Sequence, residues 1–131
     1  MTVQRSCRLC LSEPGPSSLP GVGNFVLDVR SSRRSEVATS LYFLDSGSYA
    51  PDGDGYAAIS IPQIEWFLES ARPRMTLDGG LSSSPAPSLV FLHIPLPEFE
   101  MAWRSGRCRG FKLENVQCPR SNTGFFAAAQ E

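Results

Sequence analysis

Two short apolar runs, Leu41-Tyr42-Phe43-Leu44 and Leu89-Val90-Phe91-Leu92, stand on either side of one amphipathic helical stretch, and that order narrows the folds open to the chain. Apolar runs of this length, bounded by turn residues, read as buried strands. The helix between them is predicted over residues 60–72. Ser60 and Gln63 have the spacing of a capping box, and Pro62 falls in the first turn, where its missing amide has no helical partner to lose. Ile64, Phe67, Leu68 and Ala71 share one face, so the helix should cover a sheet, and Pro73 ends it. Strand, helix and strand in this order form a βαβ crossover, which makes the two strands parallel neighbours. Asp45, at the end of the first run, and His93, at the end of the second, then emerge at the same edge.

The rest of the chain fits around that unit. Residues 1–21 read as an irregular segment, broken by Pro14, Gly15, Pro16, Pro20 and Gly21. A strand over 24–30 and another over 38–44, joined by a polar turn at 31–36, predict a hairpin. The second of these, nearly all apolar at its end, should be a central strand buried on both faces. Residues 46–59 read as a surface loop and 73–87 as a flexible connection. Residues 98–104 read as a short helix carrying Phe99 and Trp103, and a further helix starts after Gly124.

At 131 residues, with 41% hydrophobic and 10% aromatic side chains, the chain has the size and apolar content of one folded domain. A net charge of -1 gives no electrostatic footprint for nucleic acid and no polybasic membrane anchor. No stretch approaches the roughly 18 apolar residues of a membrane span, and no leader-type apolar region opens the chain, so a cytoplasmic or nuclear location is the default expectation.

Most motif-like features have ordinary readings. Cys7 and Cys10 form a C-x-x-C pair, but Cys108 and Cys118 are too far apart to supply the second close pair of a zinc site. A thioredoxin-like role needs the pair at a helix start, whereas Leu11-Ser12-Glu13-Pro14 is a loop, so the thiols are expected to be reduced and structurally ordinary. Gly21-x-Gly23 lacks the third glycine of a dinucleotide loop and precedes its strand instead of following it. Asp52-Gly53-Asp54 resembles the start of a calcium loop, but Tyr56 and Gln63 occupy positions that need oxygen ligands, so it reads as a turn. Arg30, Arg33 and Arg34 read as a solvated hairpin tip, while Arg104, Arg107, Arg109 and Lys112 form a basic loop able to receive a phosphate or an acidic partner. His93, the only histidine, reads either as a hydrogen-bonded structural residue or as a metal ligand at a strand end.

Resemblance to a known family bears on that choice. Phe91-Leu92-His93-Ile94-Pro95-Leu96-Pro97-Glu98 resembles the fourth metal-binding motif of calcineurin-like metallophosphoesterases, in the subgroup similar to purple acid phosphatases. Leu19-Pro20-Gly21-Val22-Gly23-Asn24-Phe25, Leu41-Tyr42-Phe43-Leu44-Asp45-Ser46-Gly47-Ser48-Tyr49, Gln63-Ile64-Glu65-Trp66-Phe67, Glu114-Asn115-Val116-Gln117-Cys118-Pro119 and Asn122-Thr123-Gly124 are similar to the same subgroup, in the expected order. The match spans most of residues 12–126, which makes 22–131 a partial calcineurin-like phosphoesterase domain after the irregular 1–21.

What the resemblance implies is an α/β fold, part of a four-layer αββα sandwich with a mixed sheet and covering helices. It implies a hydrolase of phosphate monoesters, acting on a phosphorylated small molecule or protein through a pair of divalent or trivalent metal ions such as Fe, Mn or Zn. Such a pair activates a bound water and offsets charge on the phosphoryl group. His93 is the one residue to which a ligand role carries over, as neutral imidazole with its other ring nitrogen held by an acceptor. Asp45 is not assigned as a ligand. The family's aspartate-containing motifs and its Gly-Asn-His-Asp/Glu motif would lie before this chain, and its Gly-His-x-His motif after it. The chain is therefore expected to be a middle segment, left by a partial gene model, an alternative transcript or a decayed copy, and inactive alone. The other reading is a non-catalytic protein-interaction module built on the same fold, using the sheet surface and the loop at 104–112. A half-sandwich should also leave strand edges and apolar faces that promote self-association. Arg120-Ser121 stands where the family has small or apolar residues, which questions the packing there.

Overall fold

The structure, a computed structural model, describes residues 6–33, 37–72 and 86–131. Within these, Phe25–Arg30 is β1, Val37–Phe43 is β2, Ile61–Ala71 is α1, Ser88–Phe91 is β3, Pro97–Arg104 is α2 and Phe125–Ala128 is α3. The strands form one mixed sheet in the order β1-β2-β3. β1 and β2 pair antiparallel, with Phe25 opposite Phe43 and Leu27 opposite Leu41. β2 and β3 pair parallel, with Leu41 beside Leu89 and Phe43 beside Phe91. The hairpin, the parallel crossover and the central place of β2 all follow the sequence pattern. Arg34 and the connection at 73–85 lie outside the described residues.

Alternation divides each strand between two faces. Tyr42, Val26 and Val90 point toward α1, where Tyr42, Leu44, Ile59, Ile64, Phe67 and Phe125 make the core. Its aromatic spine runs edge to face from Tyr42 to Phe67, ring centroids 4.8 Å apart, and on to Phe125 at 5.2 Å. The Tyr42 hydroxyl donates to the Ser70 carbonyl at 3.2 Å, so the phenol finds a partner on the helix it packs against. α1 starts as its sequence indicates: Gln63 Oε1 accepts from the Ser60 N–H and from its hydroxyl, each at 2.9 Å. Ile64 and Phe67 are buried along it, with Leu68 and Ala71 packed beside them.

The opposite face corrects one expectation. β2 is central, but among the described residues the core that covers it, with α1 and α3, lies on the Tyr42 side only. Phe25, Phe43 and Phe91 form a stacked ladder across the three strands, with centroid spacings of 4.6 and 5.0 Å. Phe91 remains 46% exposed and Leu89 57% exposed. An apolar sheet face of this kind is costly to leave in water.

The two faces should respond differently to truncation. Phe67→Ala is expected to lower the unfolding free energy by about 3–5 kcal/mol, read by urea denaturation. Phe91→Ser should cost about 1 kcal/mol at most and should visibly reduce binding of a hydrophobic fluorescent dye.

Candidate functional site

Parallel pairing places Asp45 two residues past Phe43 and His93 two residues past Phe91, so both sit at the rim where β2 and β3 end. Here an open depression of about 540 Å³ is lined by Phe25, Phe43, Phe91, Asp45, His93 and Ser12, among others. The phenylalanine ladder forms its apolar wall. His93 is exposed at its edge, so it is not a core histidine.

The rim is held by buried polar groups. Asn24 is 1% exposed, and its carbonyl oxygen accepts from the Asp45 N–H at 3.0 Å and from Gln63 Nε2 at 2.8 Å. Its amide nitrogen donates to the Pro20 carbonyl at 3.0 Å. Gln63 Nε2 also donates to the Asp45 carbonyl at 2.7 Å, so one helix residue caps α1 and pins the end of β2. Ser46, itself buried, presents its hydroxyl oxygen to the His93 N–H at 3.1 Å and to the Ile94 N–H at 2.8 Å. The backbone that carries His93 is thus fixed from the neighbouring strand.

Asp45 is largely occupied in holding the chain. Its carboxylate accepts from the Val22 N–H at 2.7 Å and from the Gly47 N–H at 2.9 Å. The approach to β1 is so close that a Cβ on Gly21, where φ is +81°, would lie 2.4 Å from Asp45 Oδ2. A glycine at this position permits that close approach to Asp45. Among the described residues, no group of three or more His, Cys, Asp or Glu side chains is gathered closely enough to hold a metal ion. The described donors at this rim therefore do not fit a complete metal pair: His93 offers one imidazole and Asp45 is committed to backbone amides.

Other candidates lie elsewhere. Asp52 and Asp54 form a turn in which the Asp54 N–H donates to Asp52 Oδ1 at 3.0 Å, while Asp54 pairs with Arg120 at 2.6 Å. Arg120 extends to this exposed pair, and the neighbouring Ser121 is exposed too, so neither disturbs the packing. In the basic loop, Glu100 pairs with Arg104 at 2.8 Å and with Lys112 at 3.2 Å, and Lys112 also lies 5.7 Å from the Trp103 ring centroid. Two of the four basic side chains are thereby engaged within the molecule. All four cysteines are free thiols. No described helix is long and apolar enough to cross a membrane.

Sequence reasoning placed Asn24 and Gln63 in segments that resemble the family, and Gln63 in the capping box, but missed the bridge they make to Asp45, because its partners are far apart in the sequence.

Comparison with known proteins gives relatives of one kind. The chain is 32% identical over 118 residues to the protein named "Probable inactive purple acid phosphatase 29" of Arabidopsis thaliana, covering 82% of this chain and 30% of that protein. It is 33% identical over 126 residues to "Probable inactive purple acid phosphatase 14" of the same plant, covering 86% and 31%. It is 37% identical over 112 residues to "Phosphatase DCR2" of Saccharomyces cerevisiae, covering 79% and 18%. The chain thus spans less than a third of the length of each of these relatives. No protein-family model matches it, and no solved structure matches it significantly.

Substitutions at the rim should separate scaffold from site. Asn24→Ala strands the Asp45 N–H and one Gln63 amide donor, and unfolding in urea should show a loss of about 1–3 kcal/mol for each stranded group. His93→Ala, at an exposed position, should change stability by about 0.5 kcal/mol at most. Glu100 gives a pH prediction. Hydrogen bonds from Arg104 and then Lys112 hold its carboxyl below the ordinary glutamate value of 4.5. Its stabilising contribution is full above that value and is lost as the pH falls through the depressed midpoint. An NMR titration should find that midpoint, and Lys112→Gln should raise it.

Proposed function

The chain is a segment related to the purple acid phosphatase-like phosphatases, and on that premise we propose that it is part of a metal-dependent phosphoesterase in which His93 supplies one metal ligand. The observation that carries this reading is the placing of the lone histidine: exposed, at the carboxyl-terminal rim of two parallel strands, with its backbone fixed by Ser46. Ligands in α/β sheets bind at such rims. The reading assigns the open phenylalanine face to contact with a second sheet, as in a four-layer αββα sandwich. It takes the substrate to be a phosphate monoester, small or on a protein, and the metals to be a pair drawn from Fe, Mn or Zn.

These residues by themselves are inert in this reading. A metal pair needs several oxygen and nitrogen donors at fixed positions, and the rim offers one imidazole. The chain should show no turnover of p-nitrophenyl phosphate above blank with added Fe, Mn or Zn. Turnover that His93→Ala abolishes would overturn the proposed inertness. Zinc titration followed by NMR should shift the His93 ring resonances with weak, millimolar affinity. Failure of that ring to respond at all would count against its ligand role.

One observation favours a second reading, a non-catalytic interaction module. The half-exposed Phe25, Phe43 and Phe91 ladder and the outer edges of β1 and β3 form a surface suited to self-association or to a protein partner. Metal motifs in frame in the flanking coding sequence would favour the phosphoesterase. A folded, metal-indifferent dimer would favour the module.

A further inference from the structure

The segment that leads into the rim carries a pair of thiols that the phosphoesterase reading does not use. Cys7 and Cys10 are the ends of one tight turn, closed by the Cys10 N–H donating to the Cys7 carbonyl at 3.1 Å. Such a turn holds its end Cα atoms within about 7 Å. A disulfide requires Cα atoms at roughly 4.4–6.8 Å. The turn therefore brings the two residues within bridging range with little movement of the backbone.

The two sulfurs are not equivalent. Cys7 is exposed, while Cys10 is partly buried and shares a 2.9 Å hydrogen bond with the Ser12 hydroxyl. That hydroxyl, followed by the Ser12 backbone N–H, holds the Cys10 thiol below its ordinary value of 9.0. Donors around a sulfur favour the thiolate, the form that reacts. This departs from the ordinary thiols expected from the loop sequence: a helix start is one way to place donors at a cysteine, and the Ser12 turn is another.

We infer that Cys7 and Cys10 form an oxidisable dithiol site that reacts with hydroperoxides, Cys10 being the attacking sulfur and Cys7 the resolving one. In the first step the Cys10 thiolate attacks the terminal peroxide oxygen. The S–O bond forms, the O–O bond breaks, and the alkoxide or hydroxide that leaves takes up a proton. Cys10 is then a sulfenic acid. In the second step the Cys7 sulfur attacks Cys10. The S–S bond forms, the S–O bond breaks, and hydroxide leaves with the Cys7 proton as water. Two thiols and one hydroperoxide thus give one disulfide, one alcohol (water, from hydrogen peroxide) and one water. The site adjoins the candidate metal rim, because Ser12 also lines the depression beside His93.

Trypsin cuts after Arg8, between the two sulfurs, which makes the product easy to read. The full chain is treated with equimolar hydrogen peroxide, alkylated and digested without reductant, and mass spectrometry is used to find residues 6–8 joined to 9–30. That linked pair should be the main oxidation product and should be absent from Cys7→Ser and Cys10→Ser. In Cys7→Ser, dimedone should label Cys10 ahead of Cys108 and Cys118. Ser12→Ala should slow alkylation of Cys10 by iodoacetamide several-fold at neutral pH, and Ser12→Thr should restore most of the rate. Oxidation spread evenly over the four cysteines, a bridge between chains, or dimedone labelling of Cys7 in preference to Cys10 would overturn the assignment.

Discussion

A single buried carboxamide organises the end of the sheet where Asp45 and His93 emerge. Asn24 stands just before β1, and its oxygen joins the Asp45 amide on the β2 exit to the Gln63 side chain on α1. A carboxamide has an acceptor and two donors in a fixed plane, which lets it tie segments that a hydrocarbon of equal size would only touch. Buried polar groups of this kind are stabilising only when their partners are present. Here a strand entrance, a strand exit and a helix start are held to one geometry. Ser46 extends the arrangement to the β3 exit, and His93 receives its position from there.

The apolar and polar parts of the structure divide the work. The Tyr42, Phe67 and Phe125 spine fixes α1 to one face of the sheet, while the Asn24, Gln63 and Ser46 hydrogen bonds set the rim that rises from it. The uncovered face shows the same division from the other side. Its residues have the composition of a core but only half of the burial of one. In the proposed phosphoesterase reading that face is a contact surface, and the chain spans less than a third of the length of the relatives it matches.

Much of the fold was legible in the sequence because its signals are local. Ser60, Pro62 and Gln63 mark the start of α1, the apolar runs mark β2 and β3, and the crossover rule makes those strands parallel, so Asp45 and His93 share a rim. The rest was not legible for physical reasons. The apolar content of β2 looks the same whether one face or two are covered, since periodicity records which residues avoid water and not what covers them. Asn24 takes its meaning from groups 21 and 39 residues away. Ser12 lies two residues from Cys10, close enough to be read, but a loop sequence does not say that its hydroxyl turns back to the sulfur. The proposed ligand role of His93 rests on motif resemblance; what the structure shows of this residue is an exposed ring on a fixed backbone.

The doubly accepting hydroxyl of Ser46 has a dynamic consequence. Two successive amides, those of His93 and Ile94, share one oxygen that belongs to the adjacent strand exit. Neither proton can exchange with solvent from the bonded state, and a departure of the β2 exit releases both together. Deuterium uptake at these two positions is therefore a single gauge of how often the imidazole-bearing edge comes apart from its neighbour.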